Sequence, residues 1–218
     1  MGASLQYQYL VRGHAKIRRD LLPMIFDPIG DYPDKILTAT FAYRVLSHAE
    51  IESYLEDRAF ETALEAIKAW KDKRRISKIL LGLLAFSGQE IEFPPNSVDL
   101  TQPTQSPTWE DKIQLSNRIE SAMNVFSYAV KNNHGIKETN IHRLLLPIGI
   151  ELQELDPVLI ADLNSFAKER GEVAHLSSRK YRTKQQINPK EELTRVKSII
   201  ARLIKIDKAI DKLLLDIK

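Results

Sequence analysis

Two side chains in the segment FAKERGEVAHLSS, residues 166–178, have the types that chemistry at a phosphate group needs. Arg170 carries a permanent planar charge that can grip two phosphate oxygens and stabilise charge building at phosphorus. His175 carries an imidazole, whose ordinary pKa of about 6.5 lets it accept or donate a proton near neutral pH. Gly171, Glu172, Val173 and Ala174 separate them. A bland reading stands beside this one. Arg170 would cap a helix C-terminus, where a cation is favourable, and His175 would be an ordinary loop histidine. With fourteen arginines and five histidines in the chain, about one Arg/His pair at such a spacing arises by chance, so the surroundings must decide.

Two further groupings bear on that choice. Arg44, His48 and Glu52 recur at four-residue steps and so share one face of a helix. They either flank a cleft and orient Arg170 or a ligand, or form a solvated or salt-bridged helix face. Just beyond His175, Arg179, Lys180, Tyr181, Arg182 and Lys184 gather four cations around one aromatic ring. Such a group can contact phosphates and stack a base, or serve as a solvated linker. Arg12, Lys16, Arg18 and Arg19 make a second basic stretch near the N-terminus.

The segment around Arg170 and His175 resembles the defining motif of the HEPN ribonucleases, an Arg and a His separated by four to six residues. The upstream segment FAYRVLSHAEIESYLED, residues 41–57, resembles the first long helix of the RiboL-PSP-type HEPN proteins. Many HEPN nucleases carry a polar Asn, Asp or His directly after the Arg. Gly171 stands there in this chain, so no role passes to that extra side chain. The resemblance implies an all-α fold and a metal-independent endoribonuclease without cofactor. In that mechanism the 2′-hydroxyl of RNA attacks the adjacent phosphate, leaving a 2′,3′-cyclic phosphate and a 5′-hydroxyl. It also implies a homodimer that brings two Arg/His pairs to one cleft. A toxin of a toxin–antitoxin or anti-phage system is the expected setting, with an antitoxin protein as a possible partner.

Composition narrows the alternatives. The chain has no cysteine, which excludes thiolate metal sites and cysteine nucleophiles and is expected of a reducing cytoplasm. There is no Gly-rich phosphate loop, HExxH, GxSxG or EF-hand loop, and the five histidines lack metal-ligand spacing. Residues 1–20 lack the apolar core of a secretory signal, and no apolar run approaches the ~18 residues of a membrane span. A net charge of +3 permits an acidic partner without demanding nucleic acid.

The elements that must hold these residues read as helices. Hydrophobic residues make up 43% of the chain, Gly is scarce, and no segment alternates with a period of two. Residues 1–35 read as an extended or irregular N-terminal arm, broken by Pro23, Pro28, Gly30 and Pro33. A helical domain follows over 36–218. It opens with one long helix, or two nearly continuous ones, at 36–72, and a short helix at 75–86 closed by Gly88. A Pro-rich loop spans 87–107, and Thr108 with Asp111 resembles a capping box for a helix reaching Asn132. A short helix at 140–152 breaks near Pro147. Asp156-Pro157 starts another that ends at Arg170, with Gly171 as its left-handed stop. Asn188, Pro189, Glu191 and Glu192 open the last long helix. Trp70 and Trp109 read as core, and His142-Arg143 as packing and surface. Besides a nuclease, two readings stay open: a catalytically silent HEPN-type module that binds RNA, nucleotide or protein, and a helical interaction protein that docks through its last helix.

Overall fold

Forty residues without Gly or Pro, rich in Ala, Leu and Glu, form one unbroken helix from Asp34 to Lys73 in the computed structural model. At 1.5 Å per residue it is about 60 Å long. Residues 2–89, 114–175 and 187–217 are described, with 173–175 described in backbone alone. Among them the chain forms seven α-helices and no strand. They are α1 (Leu5–Leu21), α2 (Asp34–Lys73), α3 (Lys78–Ala85), α4 (Leu115–Lys131), α5 (Glu138–Leu145), α6 (Pro157–His175) and α7 (Pro189–Leu215). All the others pack against α2. The long helix stops where Arg74 turns left-handed and lays its guanidinium over Trp70, 5.5 Å from the ring centroid.

The last helix begins as its sequence indicates. Asn188 Oδ1 accepts the backbone N–H groups of Lys190 and Glu191, and Pro189 takes the first helical position. Val196, Ile199, Ile200, Leu203, Ile206, Ile210 and Leu213 then bury one continuous stripe. Polar links join α7 to α2, among them Arg44 to Glu192 and Arg58 to Asp207. Both partners rise in number together, so α2 and α7 run side by side in the same direction.

The irregular reading of residues 1–35 fails for its first half. Ser4 caps α1 by accepting the Tyr7 N–H, and the helix then runs antiparallel to α2. Its period was faint because only Leu10 and His14 are fully buried, while Gln, Arg and Lys fill the other faces. The prolines all lie beyond Leu21. Residues between α1 and α2 are irregular, as expected, and Asp27 Oδ1 organises them by accepting the N–H groups of Ile29 and Gly30. Gly171 is the second correction. It lies inside α6, which continues to His175, and its φ is not left-handed. An Arg and a Glu flank it with no apolar contact demanding a stop, so the helix passes through.

The short α3 is capped by Ser77, and Gly88 leaves its end at a φ of 68°. The expected capping box at Thr108 and Asp111, Trp109, and the Pro-rich loop from residue 90 onward lie outside the described residues. So do Arg179, Lys180, Tyr181, Arg182 and Lys184.

Asp207 is fully buried and is the most heavily used of the polar links. Its carboxylate accepts from the Ser4 backbone N–H and hydroxyl, the Tyr54 hydroxyl and Arg58 Nε. It therefore ties the start of α1 to both long helices. Asp207→Ala removes the shared acceptor of Ser4, Tyr54 and Arg58 Nε, leaving Arg58 only Asp211 and a backbone carbonyl, and should cost about 3 kcal/mol of unfolding free energy, read from urea midpoints. Ser4→Ala, which removes one cap hydroxyl, should cost about 1 kcal/mol in the same assay.

Candidate functional site

The line Arg44–His48–Glu52 on α2 faces α6, and the three side chains meet different fates there. Arg44 is buried. Its Nε donates to Glu192 Oε1 at 2.9 Å and its Nη2 to Glu192 Oε2 at 2.6 Å, while Nη2 lies 3.1 Å from Glu169 Oε2. Glu169 also accepts from Arg195 Nη1 at 2.7 Å. Burial alone would raise the Glu169 carboxyl, but the Arg195 hydrogen bond and the charges of Arg195 and Arg44 hold it below the usual range. Arg44 is thus a cross-link among α2, α6 and α7, and the salt-bridged reading of its position is the one that describes it.

His48 is also buried, stacked against Phe166 of α6 with ring centroids 6.1 Å apart. Burial, and then the charge of Arg170, push its pKa down to about 4. Its Nδ1 lies 3.4 Å from Glu52 Oε2 but without the alignment of a hydrogen bond. Glu52 is itself held above the usual carboxylate range by burial and by Glu56, against the opposing pull of Arg170 and His134. His48 is therefore neutral above about pH 4, so its contact with Glu52 is not an ion pair.

Arg170 differs from Arg44 in every respect that matters for a ligand. Its side chain is 33% exposed, and the nearest carboxylate oxygen, Glu52 Oε2, is 4.0 Å from Nη2. Its Nε is shut off from solvent and has no hydrogen-bond partner among the described residues. A guanidinium fixed on a helix, charged and loosely countered, suits an incoming anion. Glu52 lies near enough to attract it without forming a hydrogen bond. Of His175 only the backbone is described, within α6.

Loop residues that periodicity does not reveal complete the rim. Asn133, after α4, donates from Nδ2 to Glu56 Oε1 at 2.7 Å, which brings His134 alongside Glu52 and Glu56. The only advance signal was the Asn-Asn-His-Gly run that ends a helix.

A helical bundle in which α6, bearing Arg170, packs against the long α2 is consistent with a HEPN-type domain. The RiboL-PSP-HEPN family model matches residues 18–212, and the chain belongs to that family. No curated protein and no solved structure matches it. HEPN domains generally bind RNA and dimerise, and the family supports a HEPN-type nuclease or RNA-related module. Among the described residues no helix is long and apolar enough to cross a membrane.

The contrast between the two arginines is measurable. Arg44→Gln should lower unfolding free energy by about 3 kcal/mol or more, because Glu192 is left buried without its partner. Arg170→Gln should leave stability within about 0.5 kcal/mol in the same denaturant titration. His48 predicts an acid limb. It stays neutral in the fold down to about pH 4, whereas unfolded it binds a proton below about 6.5. The unfolded state therefore holds more protons across that window, so stability present above pH 6.5 is lost as pH falls toward 4. The loss should reach about 3 kcal/mol, and His48→Gln should flatten the slope of urea midpoint against pH.

Proposed function

We propose that this protein is an endoribonuclease in which Arg170 binds the scissile phosphate and His175 moves the proton of the 2′-hydroxyl. The observation that carries the reading is the state of Arg170: one-third exposed and 4.0 Å from its nearest described carboxylate, while Arg44 nearby is fully engaged. RNA supplies its own nucleophile, so the protein needs to hold the phosphate and move protons. The cations Arg179, Lys180, Arg182 and Lys184, with Tyr181, follow in sequence and would extend the grip along the strand. Glu52 orients Arg170, and His48 and Arg44 support it from within the bundle.

A homodimer fits the backbone register. Five residues along an unbroken helix rotate the chain about 140° past a full turn, so positions 170 and 175 of one copy lie on different faces of α6. A second copy would bring a His175 toward the first copy's Arg170. A toxin partnered by an antitoxin, or an anti-phage effector, is the setting that such an activity suits. The same register and Gly171 favour a second reading, a silent module that binds RNA without cutting it.

Cleavage of RNA by the purified protein in EDTA, yielding 2′,3′-cyclic phosphate ends, separates the two readings. Arg170→Ala and His175→Ala should each lower the rate by about a hundredfold or more while the melting temperature holds. A substrate with a single 2′-deoxy residue at the cut site should stay intact. Intact RNA with the wild-type protein, together with salt-dependent binding, would select the silent module.

A further inference from the structure

Cutting RNA needs two proton transfers, and within one copy of the chain His175 is the single imidazole so far assigned to the Arg170 site. The other three histidines outside the turn after α4 are poorly placed for a second. His14 is buried, its Nε2 2.6 Å from the Tyr43 hydroxyl, and His48 is buried against Phe166. His142 sits on α5 with Glu138 3.9 Å away. His134 is exposed, and its backbone is tightly held. On one side Asn133 is fixed by three hydrogen bonds, donating to Glu56 Oε1 at 2.7 Å and Gly135 O at 3.0 Å and accepting from Asn140 at 2.9 Å. On the other side Gly135 takes a φ of 152°, a region that favours glycine, and its N–H is directed to the Glu52 carboxylate. Glu52 is the group whose Oε2 lies 4.0 Å from Arg170. The chain around His134 is therefore held at Glu56 through Asn133 and lies beside Glu52, the carboxylate nearest Arg170.

We propose that His134 is a second proton-transfer residue of the Arg170 site, donating to the 5′ oxygen that departs when RNA is cut. The proposal rests on the ribonuclease reading. As the bond from the 2′ oxygen to phosphorus forms, His175 takes the hydroxyl proton. As the bond from phosphorus to the 5′ oxygen breaks, that oxygen takes the proton of the His134 imidazolium. The products are the cyclic phosphate and a 5′-hydroxyl, and exchange with water restores both imidazoles. Arg170 holds the non-bridging oxygens throughout, and Glu52, beside the turn and 4.0 Å from Arg170, keeps the two groups in register.

The test compares full-length wild type, His134→Gln, His134→Ala and His175→Ala on two substrates. One is an RNA oligonucleotide. The other is uridine 3′-(4-nitrophenyl phosphate), whose leaving group needs no proton. Both His134 variants should lose about a hundredfold or more on RNA, lose the alkaline limb of the pH–rate profile, and stay near wild type on the activated ester. His175→Ala should lose activity on both. Unchanged RNA cleavage and pH profile in His134→Ala would overturn the proposal and assign the acid to a second copy's His175. Equal losses on the two substrates would overturn it as well, leaving His134 a binding contact. Wild-type protein that leaves RNA intact would remove the ribonuclease reading itself. Matching melting temperatures separate all of these from misfolding, which the exposure of His134 makes tolerable to test.

Discussion

The buried pairing of Arg44 with Glu192 is the constraint on which the Arg170 site depends. It is bidentate, out of water, and shared with Glu169, so it fixes α2, α6 and α7 at one point. Arg195 completes the group by bonding Glu169 and Ser165 while its guanidinium lies 5.3 Å from the Phe166 ring centroid. Two arginines and two glutamates balance in charge there. Such a network adds little net stability over apolar packing, but it tolerates one geometry, because any slip leaves an ion buried without its partner. Arg170 follows Glu169 directly, so its position is inherited from this lock.

The same arrangement explains why adjacent cations behave so differently. Arg44 has spent its donors inside the bundle. Arg170 points to a rim where its nearest anion among the described residues, Glu52, has its pKa raised by burial and by Glu56. Neutral His48 beneath adds no positive charge to compete for a ligand. A low-dielectric floor with one loosely countered guanidinium above it concentrates attraction for phosphate at a single place. At the far end of the α2–α7 seam, Asp207 and Arg58 hold the two long helices parallel over roughly four further turns, which keeps the rim rigid.

Much of the fold was legible because helices announce themselves locally. The α7 start follows from Asn188-Pro189 and its stripe from residues spaced three and four apart, all within one turn of one another. The spacing of Arg44, His48 and Glu52 likewise placed them on one face. What they touch was not legible, since their partners lie more than a hundred positions away. The α1 helix escaped notice because tertiary contacts, chiefly Ser4 with Asp207 and His14 with Tyr43, hold a segment whose own apolar pattern is thin. Gly171 misled because a glycine ends a helix only when the next residues have somewhere else to go.

The amino-acid sequence by itself indicated an all-α fold, a long helical stretch at 36–72, a last helix opened by Asn188 and Pro189, and Arg170 and His175 as candidates for handling a phosphate and a proton. Those properties are set by near-neighbour spacing and by side-chain type. Only the tertiary structure decided that Arg44 is a buried cross-link, that His48 is a neutral packing group, that Glu52 lies 4.0 Å from Arg170, and that the turn carrying His134 lies beside Glu52 and Glu56. Those are matters of burial and partner, and both arise only when distant segments are packed together.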